Sequence, residues 1–332
     1  MKKNIFLWVA VFAVGAMSSC SVDKVVDQAE ARYIGFDPFA NKVTRGLTNV
    51  QFGHDNFDVW GKYEDVEVFA GKTVSWQTSS WTYQPLVPWV DGKTYEFAAI
   101  APHVEDASYD YENNQYTLGD ITVNATPATQ IDYMTATPKP SVGSGANPVS
   151  FDFNHILSKI DFKFQPKITA PNAWPSPVKI DIKKITLADV NTVNTYTANN
   201  WGTSETSGIF EKGNGSDIYG TTTYDGADVT ALQNQFSWLV VPQTDIEASN
   251  RALTIKFDVY TQDAAGAYNV KVLTNKVATV EIATDWVANT VYTYTVYIGS
   301  DVLGQDAYIT FDVNSANWGN TSSNNDLNVP TN

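Results

Sequence analysis

Residues 149–166 read VSFDFNHILSKIDFKFQP, and they decide the fold class. Val149, Phe151 and Phe153 share one parity; Ile160, Phe162 and Phe164 share the other. Period-2 alternation of large apolar residues is what a half-buried strand presents. A shift of one residue turns every side chain to the opposite face. A bulge or short turn is therefore expected between His155 and Ser158.

The same pattern extends outward in both directions. Upstream, Phe57 with Val59, Val66 with Val68, Tyr95 with Phe97 and Ala99, and Ile121 with Val123 read as strands. Downstream come Val178, Ile180 and Ile182, then Ile185 and Leu187 with the parity switched. Phe236, Trp238 and Val240 follow, then Leu253, Ile255, Phe257 and Val259. Val270, Val272 and residues 277–282 read as a hairpin partner, and residues 290–298 and 308–313 close the series. Helix signal is nearly absent. The 332 residues include 10 Trp, 17 Tyr and 16 Phe, and only 17% are charged. This composition suits an extracellular all-β protein, and short strands at this spacing predict β-sandwiches.

Residues 139–148, KPSVGSGANP, have no apolar period and predict a boundary between two units. The expected division is a first sandwich over 46–140, a second over 148–318 and a polar tail over 319–332. Residues 128–137 predict a brief turn or strand. Residues 191–226, polar and Gly-rich, read as a surface excursion.

The N-terminus reads as a targeting signal over 1–19. Lys2 and Lys3 precede an apolar run from Ile5 to Met17 that is too short for a stable bilayer anchor. Cys20, the one cysteine, follows Ser18 and Ser19. No disulfide framework is available. The setting resembles a lipobox, with Met17 where Leu is usual; lipidation of Cys20 is expected, against plain secretion with an idle thiol. Acyl chains contribute roughly 0.8 kcal/mol per buried CH₂. The net charge of −15 excludes tracking of a phosphate backbone, so no nucleic-acid partner is expected.

Residues 31–45 read ARYIGFDPFANKVTR. Ile34 and Phe36 fall on one face of a short strand, and Pro38 stops regular pairing. Val43-Thr44-Arg45-Gly46 is polar and open to an arginine-specific protease. A cut between Arg45 and Gly46 removes the strand and leaves an open edge and an apolar groove. The same segment is equally consistent with a permanent edge strand.

Catalytic signatures are missing from the sequence. His54, His103 and His155 lack metal-ligand spacing, no Gly-x-Ser-x-Gly is present, and Gly71-Lys72-Thr73 lacks the earlier glycine of a phosphate loop. Glu105, Asp106, Asp110 and Glu112 do not follow an EF-hand pattern and read as a solvated loop. No cofactor, metal or catalytic residue is expected. Trp76, Trp81 and Trp89 are candidates for a glycan-binding platform, against ordinary packing of aromatic residues in a sandwich.

The ordered set resembles one family. It comprises the lipobox Cys20, the strand and Thr-Arg-Gly near residue 45, Tyr95-Glu-Phe-Ala-Ala-Ile-Ala-Pro102 and Ile131-Asp-Tyr-Met134. Phe151-Asp-Phe-Asn-His-Ile-Leu-Ser-Lys-Ile160 and a terminal Phe311-Asp-Val-Asn-Ser-Ala-Asn-Trp318 complete it. In order and spacing these resemble the fimbrillin (Mfa-like) subunits of Bacteroidetes type V pili. The resemblance implies two tandem transthyretin-like β-sandwich domains after a lipoprotein signal peptide. It implies an outer-membrane lipoprotein at the cell surface, lipidated at Cys20, and assembly into a pilus. It implies cleavage at Arg45–Gly46 by an arginine-specific protease, which releases the strand carrying Ile34 and Phe36. Another subunit's C-terminal strand then fills the groove, with Ile309, Phe311 and Val313 as the inward-facing donor residues. The alternative role is a non-polymerising surface lipoprotein or pilus-tip adhesin that binds a glycan or host protein on Trp76, Trp81 and Trp89.

Overall fold

The computed structural model describes residues 32–37, 56–136, 139–143, 148–202, 206–233, 237–244, 251–300 and 307–318. Cys20, Arg45, Gly46, His54, Phe236, the signal segment and the tail lie outside them. The described residues are strands and loops with one 3-10 turn, Pro127–Thr129.

The first strands are β1 (Phe36–Asp37), β2 (Phe57–Tyr63), β3 (Val66–Gln77) and β4 (Ser80–Thr82). Then come β5 (Thr94–Ala101), β6 (Ser108–Asp110), β7 (Gln115–Thr117) and β8 (Gly119–Thr122). Next are β9 (Met134–Ala136), β10 (Lys139–Val142), β11 (Val149–Ser150) and β12 (Phe153–His155). The second half holds β13 (Ser158–Pro166), β14 (Val178–Thr197), β15 (Asn200–Trp201) and β16 (Thr206–Lys212). It continues with β17 (Gly220–Tyr224), β18 (Val229–Thr230), β19 (Leu232–Gln233) and β20 (Trp238–Val240). The last four are β21 (Ala252–Thr261), β22 (Val270–Glu281), β23 (Thr290–Ser300) and β24 (Ala307–Asn317).

A seven-stranded sheet runs β12-β9-β5-β2-β3-β4, with β10 also on β5. An eight-stranded sheet runs β18-β17-β14-β21-β22, and β8, β15 and β16 also pair with β14. A five-stranded sheet runs β19-β13-β23-β24, with β20 on β13. The last two face each other. Ile160, Phe162 and Phe164 of β13 and Tyr294, Val296 and Ile298 of β23 share one core with Ile180 and Ile182 of β14 and Leu253, Ile255, Phe257 and Val259 of β21. This is the sandwich that the alternation predicts.

The interruption expected between His155 and Ser158 is present, and its cause is larger than a bulge. β12 pairs with β9 in the seven-stranded sheet, while β13 pairs in parallel with β23 in the five-stranded one. The chain changes sheets there, which reverses the parity. The parity switch after Ile182 is a true register shift, between Ile182 and Lys184 in the β14–β21 ladder. The turn-or-strand segment at 128–137 resolves into the 3-10 turn and β9.

Two expectations are corrected. Residues 191–226 are not a surface excursion: they hold the end of β14, then β15, β16 and β17, and Asn194, Tyr196, Phe210 and Thr222 among them are buried. Strands also cross the expected 140/148 boundary. β8 lies in the eight-stranded sheet, and β11 and β12 pair with β1 and β9. Tyr116 of β7 ties the halves: its backbone N–H donates to Asn199 Oδ1 (2.7 Å) and its carbonyl accepts from the Asn199 N–H (3.0 Å).

β5, TYEFAAIA, is buried on both faces. Ala98 and Ile100 join the large core, and Tyr95, Phe97, Ala99 and Ala101 form a second, smaller core with Phe57, Val59 and Phe69. A continuous apolar run is the expected sequence for such a strand. Gly61 of β2 is required here, since a Cβ would lie 2.7 Å from Phe97 and 2.9 Å from Phe69.

Candidate functional site: a slot filled by the N-terminal segment

The smaller core is completed by residues 32–37. Alternation points Tyr33 outward (50% exposed) and Ile34 and Phe36 inward (1% and 5%). The Phe36 ring meets Phe69 at 5.2 Å, Tyr83 at 5.5 Å, and Phe97 and Phe151 at 5.9 Å each. Ile34 and Phe36 thus bring together side chains from β3, β5 and the loops before β5 and after β11.

Two walls hold the backbone. On one side the Ile34 N–H donates to Val87 (2.9 Å) and the Trp89 N–H donates to Arg32 (2.8 Å), an antiparallel contact centred on the Tyr33–Pro88 bridge. On the other, the Val149 N–H donates to the Gly35 carbonyl (2.7 Å), and β1 pairs with β11 in parallel, Phe36 opposite Val149 and Asp37 opposite Ser150. The segment is therefore an inserted strand with a partner on each side, which is a tighter setting than the edge strand the sequence allowed. Tyr83 joins wall and strand: its hydroxyl donates to the Ile34 carbonyl (2.8 Å) and accepts from the Val87 N–H (3.2 Å). Burial pushes the Tyr83 phenol above its ordinary pKa, so it stays a neutral donor. Arg32 reaches Asp91 at 3.2 Å, but both are exposed and the pair contributes little.

Tyr83→Phe removes that donor and leaves the Ile34 carbonyl without it. The expected result is a loss of about 1–3 kcal/mol in the local stability of the segment. Native-state hydrogen exchange checks this: protection of the Ile34 and Trp89 amides should fall while that of β21 and β23 is unchanged.

The C-terminal strand β24 ends the five-stranded sheet and pairs with β23 along its whole length, Ala307 opposite Ser300 to Asn317 opposite Thr290. Ile309 is buried (8%), and Phe311 is half-buried with its ring 5.1 Å from Tyr294. Val313, expected inward with them, is 36% exposed, because the core cover ends at Phe311. Beyond β24, Trp318 stacks on His155 (3.8 Å, 8°), and its N–H donates to the Asn289 carbonyl (2.9 Å).

The three tryptophans are divided. Trp76 and Trp81 are directly opposed on β3 and β4, edge to face at 5.4 Å, and Trp81 also packs on Phe57 at 5.0 Å. Trp89 packs edge-on against Tyr95 at 4.8 Å and Phe97 at 5.9 Å, under the inserted strand. Trp81 and Trp89 line the smaller core.

The titratable groups are tied into structural pairs. The buried Asp58 carboxylate takes the Thr73 hydroxyl (2.9 Å), the Val104 N–H (3.1 Å) and His103 Nδ1 (2.8 Å). His155 Nδ1 meets Asp132 at 2.8 Å. Asp110 takes the Glu112 and Asn113 N–H groups of its own turn. Among the described residues no group of three or more His, Cys, Asp or Glu is placed to hold a metal ion.

These observations define a multi-sheet β-sandwich protein whose small core is closed by its own N-terminal segment. The chain belongs to the fimbrillin-like family, whose model matches residues 44–318, starting just beyond that segment. Membership makes it a fimbrial protein of the cell surface, in a family of non-enzymatic proteins. A crystal structure of a fimbrial protein from Bacteroides vulgatus shares the fold, with a TM-score of 0.59 and 16% identity over 86% of this chain and 99% of that one. More distant are a candidate cell-adhesion protein from Bacteroides uniformis (TM-score 0.47, 16% identity, 80% and 92% covered) and the fimbrial anchor protein Mfa2 from Porphyromonas gingivalis (0.31, 10%, 78% and 88%). No curated protein sequence matches the chain. Among the described residues no helix is long and apolar enough to cross a membrane.

Proposed function

We propose that this chain is a structural pilus subunit that polymerises by strand exchange. An arginine-specific protease cuts at Arg45–Gly46, residues 32–37 leave the slot, and a strand of another subunit enters. Before assembly the chain is held at the outer membrane by acyl groups on Cys20. The observation that carries this reading is the inserted segment: six residues with a partner strand on each side, bearing two side chains of the small core.

The energetics favour release once the tether is cut. Burial of Ile34 and Phe36 contributes roughly 1.5–3 kcal/mol each, and each backbone hydrogen bond about 1 kcal/mol. Ordering six residues costs about 1–2 kcal/mol per residue. The surplus is smaller than the about 4–15 kcal/mol that bringing two separate molecules together costs, so the segment depends on its covalent tether, which supplies an effective concentration on the order of millimolar. Cleavage removes that advantage. A longer strand brought by a second subunit makes more contacts and wins the slot by β-strand addition.

The test uses the mature chain with Cys20→Ser. Brief treatment with an arginine-specific protease should give one new N-terminus at Gly46 and, on an unboiled SDS gel, a ladder of multiples. Arg45→Ala should abolish both. An uncut chain, or a clean cut with monomer alone, overturns polymerisation by this route.

The complete pairing of β24 within its own sheet favours a second reading, a terminal subunit that does not donate a strand and holds a glycan or host protein. Monomer after cleavage, with glycan-array binding that Trp76→Ala abolishes, would establish it.

A further inference from the structure

β21 lies between β14 and β22, and both ladders are broken at one level of the sheet. On one side the register skips Lys183, since Ile182 pairs with Phe257 and Lys184 with Lys256. On the other it is broken around Asp258, since Phe257 pairs with Lys276 and Val259 with Leu273. A bulge re-aims the side chain it carries. These two aim Lys183 and Asn275 at each other across Asp258. Lys183 Nζ lies 2.8 Å from one oxygen of the Asp258 carboxylate and donates to Asn275 Oδ1 at 3.1 Å. The Asn275 N–H donates to the other Asp258 oxygen at 2.6 Å. An amine, a carboxamide and a buried carboxylate thus meet within hydrogen-bond distance.

From this geometry we infer that Lys183 and Asn275 become joined by an intramolecular isopeptide bond, with Asp258 carrying the protons. The modification is separate from strand exchange and needs no partner chain.

The chemistry balances. Asp258 takes a proton from the Lys183 ammonium. The free Nζ attacks Asn275 Cγ, and a C–N bond forms. Asp258 gives its proton to the amide nitrogen that leaves, and the Cγ–Nδ2 bond breaks. The surplus proton of the new nitrogen passes through Asp258 to the ammonia, which departs as ammonium. One amide replaces another, Asp258 ends as it began, and no oxidant or reductant is used.

The surroundings suit these steps. Lys183 and Asp258 are 9% and 2% exposed, and removal from water lowers the cost of turning an ion pair into a neutral one. Asn275 is exposed, so the leaving nitrogen has a way out. The backbone at Lys183 is pinned: its carbonyl accepts from the Gly215 N–H at 3.2 Å, and a Cβ on Gly213 would lie 2.1 Å from that oxygen. Burial raises the Asp258 pKa, but the Asn275 N–H and the ammonium groups of Lys183 and Lys271 hold it at about 2. Asp258 is therefore a weak base and the neutral pair is rare. The bond forms slowly, and freshly made protein holds the ion cluster. Once made, the bond joins β14 to β22 and clamps β21 between them. It also closes a long loop in the unfolded chain. The chain has one cysteine and so no internal disulfide to do this.

Intact mass is the test. The mature chain carrying Cys20→Ser is held at neutral pH, and its mass is followed over days. It should fall by one ammonia, about 17 Da. A tryptic digest should then yield a branched peptide that joins residues 180–184 to residues 272–276. Lys183→Arg keeps the charge without the nucleophile. Asn275→Gly keeps the N–H to Asp258 and suits the φ of 50° at that position, but has no carboxamide. Both should retain their full mass. Asp258→Asn, where circular dichroism shows it folded, should react about a hundredfold more slowly or less. A parent that keeps its sequence mass for as long as it stays folded overturns the bond. So does a mass loss without the branched peptide, or one that persists in Lys183→Arg or Asn275→Gly. An Asp258→Asn chain that reacts as fast as the parent overturns the role of Asp258.

Discussion

Phe36→Ala is expected to destabilise the intact chain by about 3–5 kcal/mol, the range for truncating a buried aromatic whose site cannot collapse. Collapse is prevented by the neighbours. Phe69 and Phe97 sit on paired strands of one sheet, Tyr83 is pinned by two hydrogen bonds, and Phe151 follows β11. None can move into the space without breaking its own pairing. Urea unfolding of Phe36→Ala beside Tyr33→Ala is the measurement. Tyr33 is exposed, so its truncation should stay within about 0.5 kcal/mol of the parent. A Phe36→Ala loss as small as that of Tyr33→Ala would mean that the segment does not complete the small core, and the slot would lose its meaning as a binding site.

Asp258→Asn should cost a comparable amount, about 3–5 kcal/mol, for an electrostatic reason. Asp258 of β21 is buried. Its carboxylate accepts the Asn275 N–H (2.6 Å) and meets the ammonium groups of Lys183 and Lys271, each at 2.8 Å. Lys183 is itself buried on β14, so the cluster ties β14, β21 and β22 on the face away from the sandwich core. An amide leaves a buried ammonium without its counter-charge. Burial raises the Asp258 pKa, but the Asn275 N–H and the two lysines outweigh it and hold it at about 2 against 3.8. The folded state therefore binds the proton more weakly than the unfolded chain. The stabilisation is complete above pH 3.8 and is lost as pH falls through about 2. Urea midpoints for parent and variant between about pH 5 and pH 2 should converge on acidification. A gap that is constant with pH would rule out the ion cluster as its source.

Much of this architecture is legible in the alternation. The parity break at 155–158 marks where the chain leaves one sheet for another, and the break after Ile182 marks a register shift in the long strand β14. The strands of 191–226 are harder to read because their faces are largely polar; burial there falls on single residues such as Tyr196, Phe210 and Thr222. The β-branched run Thr221-Thr222-Thr223 is the signal that identifies β17. The slot is half legible. Ile34 and Phe36 announce a strand, but Val87 to Trp89 lie in a Pro-rich loop with no period, and Val149 is far along the chain. Local pattern cannot report partners that only the tertiary fold brings together. Trp81 and Trp89 are ambiguous in the sequence for the same reason: an aromatic ring reads alike whether it lines a core or faces a ligand.

The pairing of distant segments also sets when the molecule can exist. Ser158–Pro166 lies against Thr290–Ile298, Phe36 against Val149, and Val193 against Thr122. Each pair requires a long loop to close before any contact rewards it, and strongly non-local sheets fold slowly. Until β23 has arrived, β13 has one bare side, and until Val149 has arrived the slot has only one wall. The growing chain therefore passes through a long interval with unsatisfied strand edges, and it acquires its final form only when nearly its whole length is present.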